Sequence, residues 1–507
     1  MKQNKSLPIT KWWGQHSRTT IFSGLMLVLI SLLLMRPPWD PDMGWHIRNG
    51  QDILSFGTPK GDLYSYTMFG YPWISHEWLT DVGFYLIYTH WGPVILSVIF
   101  AGIVLAAYLL AAGMGRRRIE IVLMTGLISA LVAMSIIGIR AQMITLLGLA
   151  ATLWLLFAWR DRAEYKERIW WLAPIMLVWV NLHGGFAIGL VLLGSFWIIE
   201  LIKYGLVKWH KLADKNVLSF QQFKQLAGVG LITALITLIN PYTWRVYEEL
   251  VRTIFDPTVK RSIVEWMPVT LGTPQSTNLF IIAALAGSLW LINNRKADFT
   301  KLILSVVFLA LSLTSWRNIS LFPIVVLPLL GDLIDDLSPK GFTQVLHSAW
   351  VGLAILALIG YFGFERYQTI IPFNNQPVMF QQIGSYPYGA VEYIKTEQPT
   401  GKLFNEYNWG GYLIWRLPER RVFMDGRMAI WKTADQNVFQ DYLTIAGGGD
   451  TTADLLKKYD VGLVLVYKNR SAKDYFLQNN ENWRIIYDDA VAMLFQRSDL
   501  MRASESK

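Results

Sequence analysis

The sequence predicts an α-helical polytopic membrane protein of about eleven transmembrane helices with a small C-terminal α/β domain. Three observations lead there. Only 16% of the 507 residues are charged and 53% are hydrophobic, whereas a soluble domain averages about 25% charged. The mean hydropathy is +0.32. Apolar runs of spanning length recur up to about residue 364 and then shorten to strand length.

A span needs roughly 20 mostly apolar residues. Suitable windows lie near 21–36, 92–114, 119–139, 142–159, 169–183, 185–204, 226–241, 277–293, 301–315, 318–334 and 346–364. The run from Ile21 to Met35 is followed by Arg36, Pro37, Pro38 and Trp39, with no small-x-small cleavage pattern, so it reads as an uncleaved first span. Residues 78–91 read as an amphipathic or interfacial helix leading into the second span. The organisation is then a basic N-terminus over 1–20, a transmembrane domain over 21–364 whose first outer loop is 37–91, and an α/β domain over 365–507.

Lys and Arg in short loops set orientation. One set of loops carries Lys2, Lys5, Lys11 and Arg18, then Arg116, Arg117 and Arg118, then Arg160, Arg162, Lys166 and Arg168. It continues with Lys203, Lys208, Lys211, Lys215 and Lys224, then Arg295, Lys296, Lys301 and Lys340. These loops are cytoplasmic on this reading, which puts the N-terminus inside, the C-terminal domain outside and the chain in the cytoplasmic membrane. Every unusual motif then falls on the outer side. Helix interiors hold almost no ionisable residue; Glu200 and Lys203 sit towards a cytoplasmic end. That argues against an ion-coupled transporter. Cysteine is absent, which excludes disulfides and thiolate metal sites, and nothing points to nucleic acid.

In the tail, 402–407, 420–426, 461–468, 483–489 and 490–497 read as strands, the last two as a hairpin. The stretches YLIWRL, TADLLKKY and AKDYFLQN read as helices between them. About 140 residues can bury a core of their own.

The candidate chemistry starts at Asp40 and Asp42, directly after the first span. Two close carboxylates repel, so one pKa rises or a divalent cation such as Mg or Mn bridges them, and either state suits general-base work on a hydroxyl. The plain alternative is an Asp-Pro turn capping a helix. His46 and Arg48 follow; Arg48 suits a phosphate or an i,i+4 pair with Asp52. His76 and Glu77 lie at the far end of the same loop, where they orient an acceptor, complete a metal site or simply make a turn between Trp73 and Trp78. His183 precedes two glycines that permit a ligand's close approach or a tight turn. Arg140 and Arg317 at outward helix ends suit phosphate or lipid headgroups, and Glu265 stands in the VEWMP loop.

Together these blocks resemble the GT-C-type membrane glycosyltransferases, which carry an acidic pair in the first extracytoplasmic loop, as WDPD does here. The likeness is greatest to a bacterial multi-span group marked by DPDxxWHxRxG, PWxxHEW, NxHGG, an EW-Pro loop, FNxYxWGGYLIW and FMDGR, spread from Asp40 to Arg427. A weaker echo is to oligosaccharyltransferases: NWGGYLIWRLPERRVFMDGR is similar to their Trp-Trp-Asp-Tyr-Gly block, with glycine replacing its aspartate. The resemblance therefore does not extend to protein N-glycosylation.

The resemblance implies transfer of a sugar or related group from a polyprenyl-phosphate donor to an acceptor outside the membrane, with inversion. It casts Asp42 as base and Asp40 as its tuner or fellow metal ligand. Arg48, Arg140 and Arg317 would offset donor phosphate, while His46, His76, Glu77, His183 and Glu265 would shape the acceptor site. Membrane lipid surrounds the helices, and the acceptor is a glycan, lipid or protein. Two other classes stay open: a non-catalytic scaffold or acceptor-binding subunit of an envelope polysaccharide machine, and a lipid-linked sugar flippase, which would need polar groups through the helix interiors.

Overall fold

The computed structural model describes residues 8–114, 117–134, 136–209, 216–293, 297–339, 341–374 and 386–505. Of the cations used for orientation, Lys2, Lys5, Arg116, Lys211, Lys215, Arg295, Lys296 and Lys340 lie outside the described residues. The chain divides into two compact units. One comprises Met1–Pro37, Ser97–Thr243 and Lys260–Ile371; the other comprises Pro38–Leu96, Trp244–Val259 and Pro372–Lys507. The loop between the first two spans thus belongs with the α/β tail.

In chain order the helices begin α1 (Pro8–Leu34), α2 (Met43–Phe56), α3 (Trp78–Trp91), α4 (Pro93–Ala112), α5 (Ile119–Ala133), α6 (Gln142–Asp161), α7 (Leu172–Leu182) and α8 (Phe186–Lys208). They continue with α9 (Phe220–Ile236), α10 (Arg245–Phe255), α11 (Pro257–Ser262), α12 (Pro274–Ile292), α13 (Phe299–Leu313), α14 (Leu321–Leu337), α15 (Phe342–Leu346) and α16 (Ala349–Ile370). A helix occupies each of the eleven predicted windows. Among the described residues seven are long and apolar enough to cross a membrane: α1, α4, α6, α8, α12, α16 and the stretch containing α14. α5 and α13 are shorter apolar helices, and α7 and α9 have 11 and 17 residues. The chain is a multi-pass membrane protein.

Local signals fix several helix starts. Ser219 and Gln222 form a reciprocal capping box on α9, and Thr273 with Ser276 does so on α12, where Pro274 stands at the first turn. Asp298 accepts from the Lys301 N–H at the start of α13.

One ionic network is buried in the helical unit. Glu200 and Lys203 are fully buried and paired at 2.7 Å. Glu200 also accepts from Arg160 Nη1 at 3.0 Å and Thr300 Oγ1 at 2.6 Å, and Arg160 pairs with Asp298 at 2.5 Å. The network ties α6 and α8 to the start of α13.

The other unit contains a four-stranded sheet in the order β1-β2-β4-β3, with β1 (Lys402–Asn405), β2 (Val461–Tyr467), β3 (Trp483–Asp488) and β4 (Ala492–Arg497). β1 and β2 are parallel; β4 pairs antiparallel with both β2 and β3, so the predicted hairpin is present. The expected strand at 420–426 is corrected: it makes only an isolated bridge between Val422 and Ser65. Its backbone partners lie elsewhere. Val422 N–H donates to Tyr64 O, Tyr66 N–H donates to Val422 O, and Phe423 N–H donates to the Asn405 side chain. This segment therefore ties the first-loop residues to the tail instead of extending the sheet.

α3 occupies the residues 78–91 expected to form a helix ahead of the second span. α2 and α3 pack against each other, and α2 also packs on the helix Gly410–Arg416. Backbone approach there leaves no room for side chains. A Cβ on Gly44 would lie 2.2 Å from Gly411 O, and one on Gly411 would lie 2.3 Å from Pro41 O. The glycines of WGG are thus packing requirements.

Candidate active site

Asp40 and Asp42 form the turn that starts α2. Asp40 Oδ1 accepts from the Asp42 N–H at 3.1 Å, and Asp40 is 9% exposed. Asp42 occupies the N-cap position, but its side chain makes no cap hydrogen bond. Trp45 Nε1 donates to its Oδ1 at 2.9 Å instead. The capping alternative therefore fails for this carboxylate. A Cβ on Gly426 would lie 2.1 Å from Asp42 Oδ1, so the glycine of FMDGR is what lets the tail close on the carboxylate.

One turn further, His46 is buried and presents its two nitrogens to different acids. Nδ1 lies 2.5 Å from Asp81 Oδ1, and Nε2 lies 3.7 Å from Glu77 Oε2. Asn49 donates to Asp81 Oδ2 at 2.5 Å and to Ser75 Oγ at 3.0 Å, which fixes the second aspartate oxygen. Burial lowers the His46 pKa, but the Asp81, Glu77 and Asp42 carboxylates outweigh it and hold the imidazole up to about 9. Burial raises that of Asp81, with His46 opposing. His76 Nε2 lies 3.5 Å from Glu77 Oε1, so Glu77 stands between two imidazoles. Among the described residues, His46, Glu77 and Asp81 are the group of three whose ligand atoms lie within 4.8 Å of one another; Asp40 and Asp42 are not in it.

Arg48 takes the i,i+4 alternative. Its Nε pairs with Asp52 at 3.1 Å, and Tyr64 Oη donates to the same carboxylate at 2.8 Å.

Sequence reasoning missed several supports of this region. Arg427 of FMDGR is buried between Asp425 at 2.6 Å and Asp62 at 2.9 Å, with the Trp73 and Tyr64 ring centroids 4.4 and 4.9 Å from its guanidinium carbon. Asp81 carried a signal: it follows Glu77 by four positions, which puts both on one face of α3. Asp62 carried none, since it sits among loop residues 365 positions from its partner. Glu249 of α10 is buried too. Desolvation raises its pKa against the nearby charges of His76 and Arg252.

The remaining predicted residues lie in the helical unit. Arg140 pairs with Glu265. The Arg317 guanidinium stacks over Trp266 with 5.2 Å to the centroid, and Gln142 Nε2 donates to Arg317 O at 2.7 Å. Burial raises the Glu265 pKa, but the Arg140 and Arg317 charges outweigh it and leave the carboxyl below its usual range. Two guanidiniums thus act on one carboxylate, and guanidinium is the side chain best suited to bidentate binding of an anion. His183 ends α7. Its Nδ1 accepts from Gly185 N–H at 2.9 Å and lies 2.7 Å from Thr145 Oγ1, so the ring proton of the neutral form is on Nε2. A Cβ on Gly185 would lie 2.0 Å from Thr145 Oγ1. The second glycine of NLHGG is therefore required by packing.

No protein-family model and no curated protein sequence matches the chain. Solved structures do. The chain is similar to ArnT from Cupriavidus metallidurans in the apo state, at TM-score 0.54 and 16% identity over 97% of this chain and 99% of that one. It is similar to the same protein bound to undecaprenyl phosphate at TM-score 0.52 and 14% identity, over 95% and 98%. It is also similar to the archaeal oligosaccharyltransferase AglB from Archaeoglobus fulgidus in complex with an inhibitory peptide and a dolichol-phosphate, at TM-score 0.53 and 13% identity over 90% and 70%. The chain has the GT-C fold.

Proposed function

We propose that this protein is a GT-C-type glycosyltransferase that moves a sugar or related group from a polyprenyl-phosphate donor to an acceptor at the outer face of the cytoplasmic membrane. The observation that carries the reading is Asp42: a carboxylate at a helix start that does not cap the helix, held by Trp45 Nε1 and closely approached by Gly426. Two neighbours of the same fold hold a polyprenyl-type phosphate, dolichol-phosphate in AglB and undecaprenyl phosphate in ArnT, which supports a lipid-linked donor.

In this reading Asp42 takes the proton of an acceptor hydroxyl as its oxygen attacks the anomeric carbon. The bond from that carbon to the phosphate oxygen breaks, and the polyprenyl phosphate leaves with the bonding pair, inverting the centre. Arg140 and Arg317 bind the phosphate, as guanidiniums suited to its oxygens. Arg48 contributes less, because Asp52 already offsets it. A Mg or Mn ion at Asp40 and Asp42 would add positive charge beside the donor phosphate. His46, His76, Glu77 and His183 border the acceptor.

The test is mass spectrometry of envelope glycans and glycolipids from cells producing the wild-type or Asp42→Asn protein at matched levels. Loss of one sugar from one glycan class is expected. An unchanged profile with folded Asp42→Asn protein removes the base assignment.

A further inference from the structure

Two arginines come together in the helical unit where α1 ends. α1 packs along α16. It stops at Leu34, and Pro37 and Pro38 keep it from continuing. Arg366 of α16 is buried; its Nε donates to the Leu32 carbonyl at 2.9 Å, and its Nη1 pairs with Glu365 at 2.7 Å. Arg366 thus satisfies one of the carbonyls that a helix end leaves open. The Arg36 carbonyl accepts from Ser97 Oγ of α4 at 2.6 Å. The main chain of Arg36 is therefore fixed from both sides.

Its side chain is not. Arg36 is half-buried. Among the described residues its guanidinium makes no hydrogen bond and no ion pair. Burial and the like charge of Arg366 act against it, and the carboxylate that acts for it, Glu365, is already paired with Arg366. A guanidinium has five N–H donors and no acceptor, and its planar fork matches the oxygens of a phosphate.

The surroundings say which phosphate is near. Phe364 and Tyr367 are exposed and lie within about 3 Å of Arg366 along the helix axis, and Tyr361 is exposed further along the same helix. Aromatic rings of this kind mark the headgroup layer of a bilayer. Of the seven spans, α16 is also the least covered: 11% of its spanning window is buried against the rest of the chain. Lipid covers the remainder, so the abundant phosphate at this depth is that of a phospholipid.

We propose that Arg36 is the centre of a phospholipid site, in which its guanidinium holds the phosphodiester of an anionic lipid of the phosphatidylglycerol class while the acyl chains lie along α16. The lipid charge answers the one that the chain leaves on Arg36. The ammonium of phosphatidylethanolamine would instead add a third cation beside Arg36 and Arg366. The site stands independently of the transferase reading and of which membrane face α1 ends at.

The test uses the full-length protein in detergent, stripped of lipid, and titrated with phosphatidylglycerol, phosphatidylethanolamine of the same acyl chains, or undecaprenyl phosphate. Native mass spectrometry gives the dissociation constant of the tightest site for each lipid. Wild type is expected to prefer phosphatidylglycerol. Arg36→Gln should bind it about fivefold more weakly, the worth of one basic residue at an anionic lipid surface, and should melt as wild type does before lipid is added. Glu365→Gln removes the carboxylate that competes with the phosphate and should tighten binding. The proposal is overturned if Arg36→Gln binds phosphatidylglycerol as tightly as wild type, or if wild type takes the two phospholipids equally. It is also overturned if the substitution weakens undecaprenyl phosphate alone, which makes this a carrier site. Should Arg36→Gln fail to fold, an unchanged phosphatidylglycerol affinity in Glu365→Gln overturns it.

Discussion

In the helical unit, Glu200, Asp298, Asp161 and Asp332 are answered by Arg160, Lys203, Lys301 and Arg117, so four carboxylates meet four permanent cations. In the other unit the His46 imidazole faces Asp81, Glu77 and Asp42, and His76 shares Glu77, so titratable bases rather than permanent cations meet the carboxylates. The first arrangement holds α6, α8 and α13 together and has no charge left for a ligand. The second sets carboxylates against imidazoles, and the His46 ring is held up to about 9 by its neighbours. Buried charge by itself therefore does not mark chemistry in this molecule; the balance of the charges and the kind of base do.

The contrast predicts opposite consequences of mutation. The largest effect is expected from Asp42→Asn, which should slow transfer by about 10²–10⁴-fold while leaving thermal unfolding in detergent near that of wild type. A stability loss matching the activity loss would make Asp42 a structural residue like Glu200. Next, Glu200→Ala leaves the buried Lys203 without its carboxylate and should cost about 3–5 kcal/mol, read by denaturant unfolding. A loss below about 1 kcal/mol, the range of an exposed pair, would break the distinction between the clusters. Gly426→Ala tests how far Asp42 depends on the tail. Its Cβ has no space beside Asp42 Oδ1, so overpacking should cost about 1–3 kcal/mol, with kcat falling more than KM rises.

The smallest effect concerns Asp256, which pairs with Lys432 at 2.5 Å and accepts from the Thr258 and Val259 N–H groups. Burial raises its pKa, but these partners outweigh it and set the value below the ordinary 3.8. A carboxyl lowered on folding contributes stability that is present above about pH 4 and lost as pH falls through the folded value. Asp256→Asn should therefore flatten the acid limb of the stability curve by on the order of 1 kcal/mol or less.

Much of the fold was legible in the sequence because lipid and sheet impose simple patterns. Each of the eleven windows holds a helix, and VGLVLVY and AMLFQR became neighbouring buried strands. The segment 420–426 misled because Val422 and Met424 alternate like a strand, while its partners are Tyr64, Tyr66 and the Asn405 side chain. No local pattern encodes such distant partners. The site was legible where a motif carried it. Asp42, His46 and Glu77 stood out, and the Arg48–Asp52 pair followed from helical spacing. Arg427 with Asp62 could not be anticipated, because the pairing joins loops far apart in the chain. Gly411 and Gly426 are small because Pro41 and Asp42 lie against them, a contact that no pattern within WGG or FMDGR encodes.

The most direct test of the central claim, that Asp42 drives transfer from a lipid-linked donor, is lipid mass spectrometry of polyprenyl-phosphate sugars in cells carrying wild-type or Asp42→Asn protein at equal abundance. The account predicts that one such sugar lipid accumulates in the Asp42→Asn cells. Identical pools in the two, with the variant folded, would contradict it.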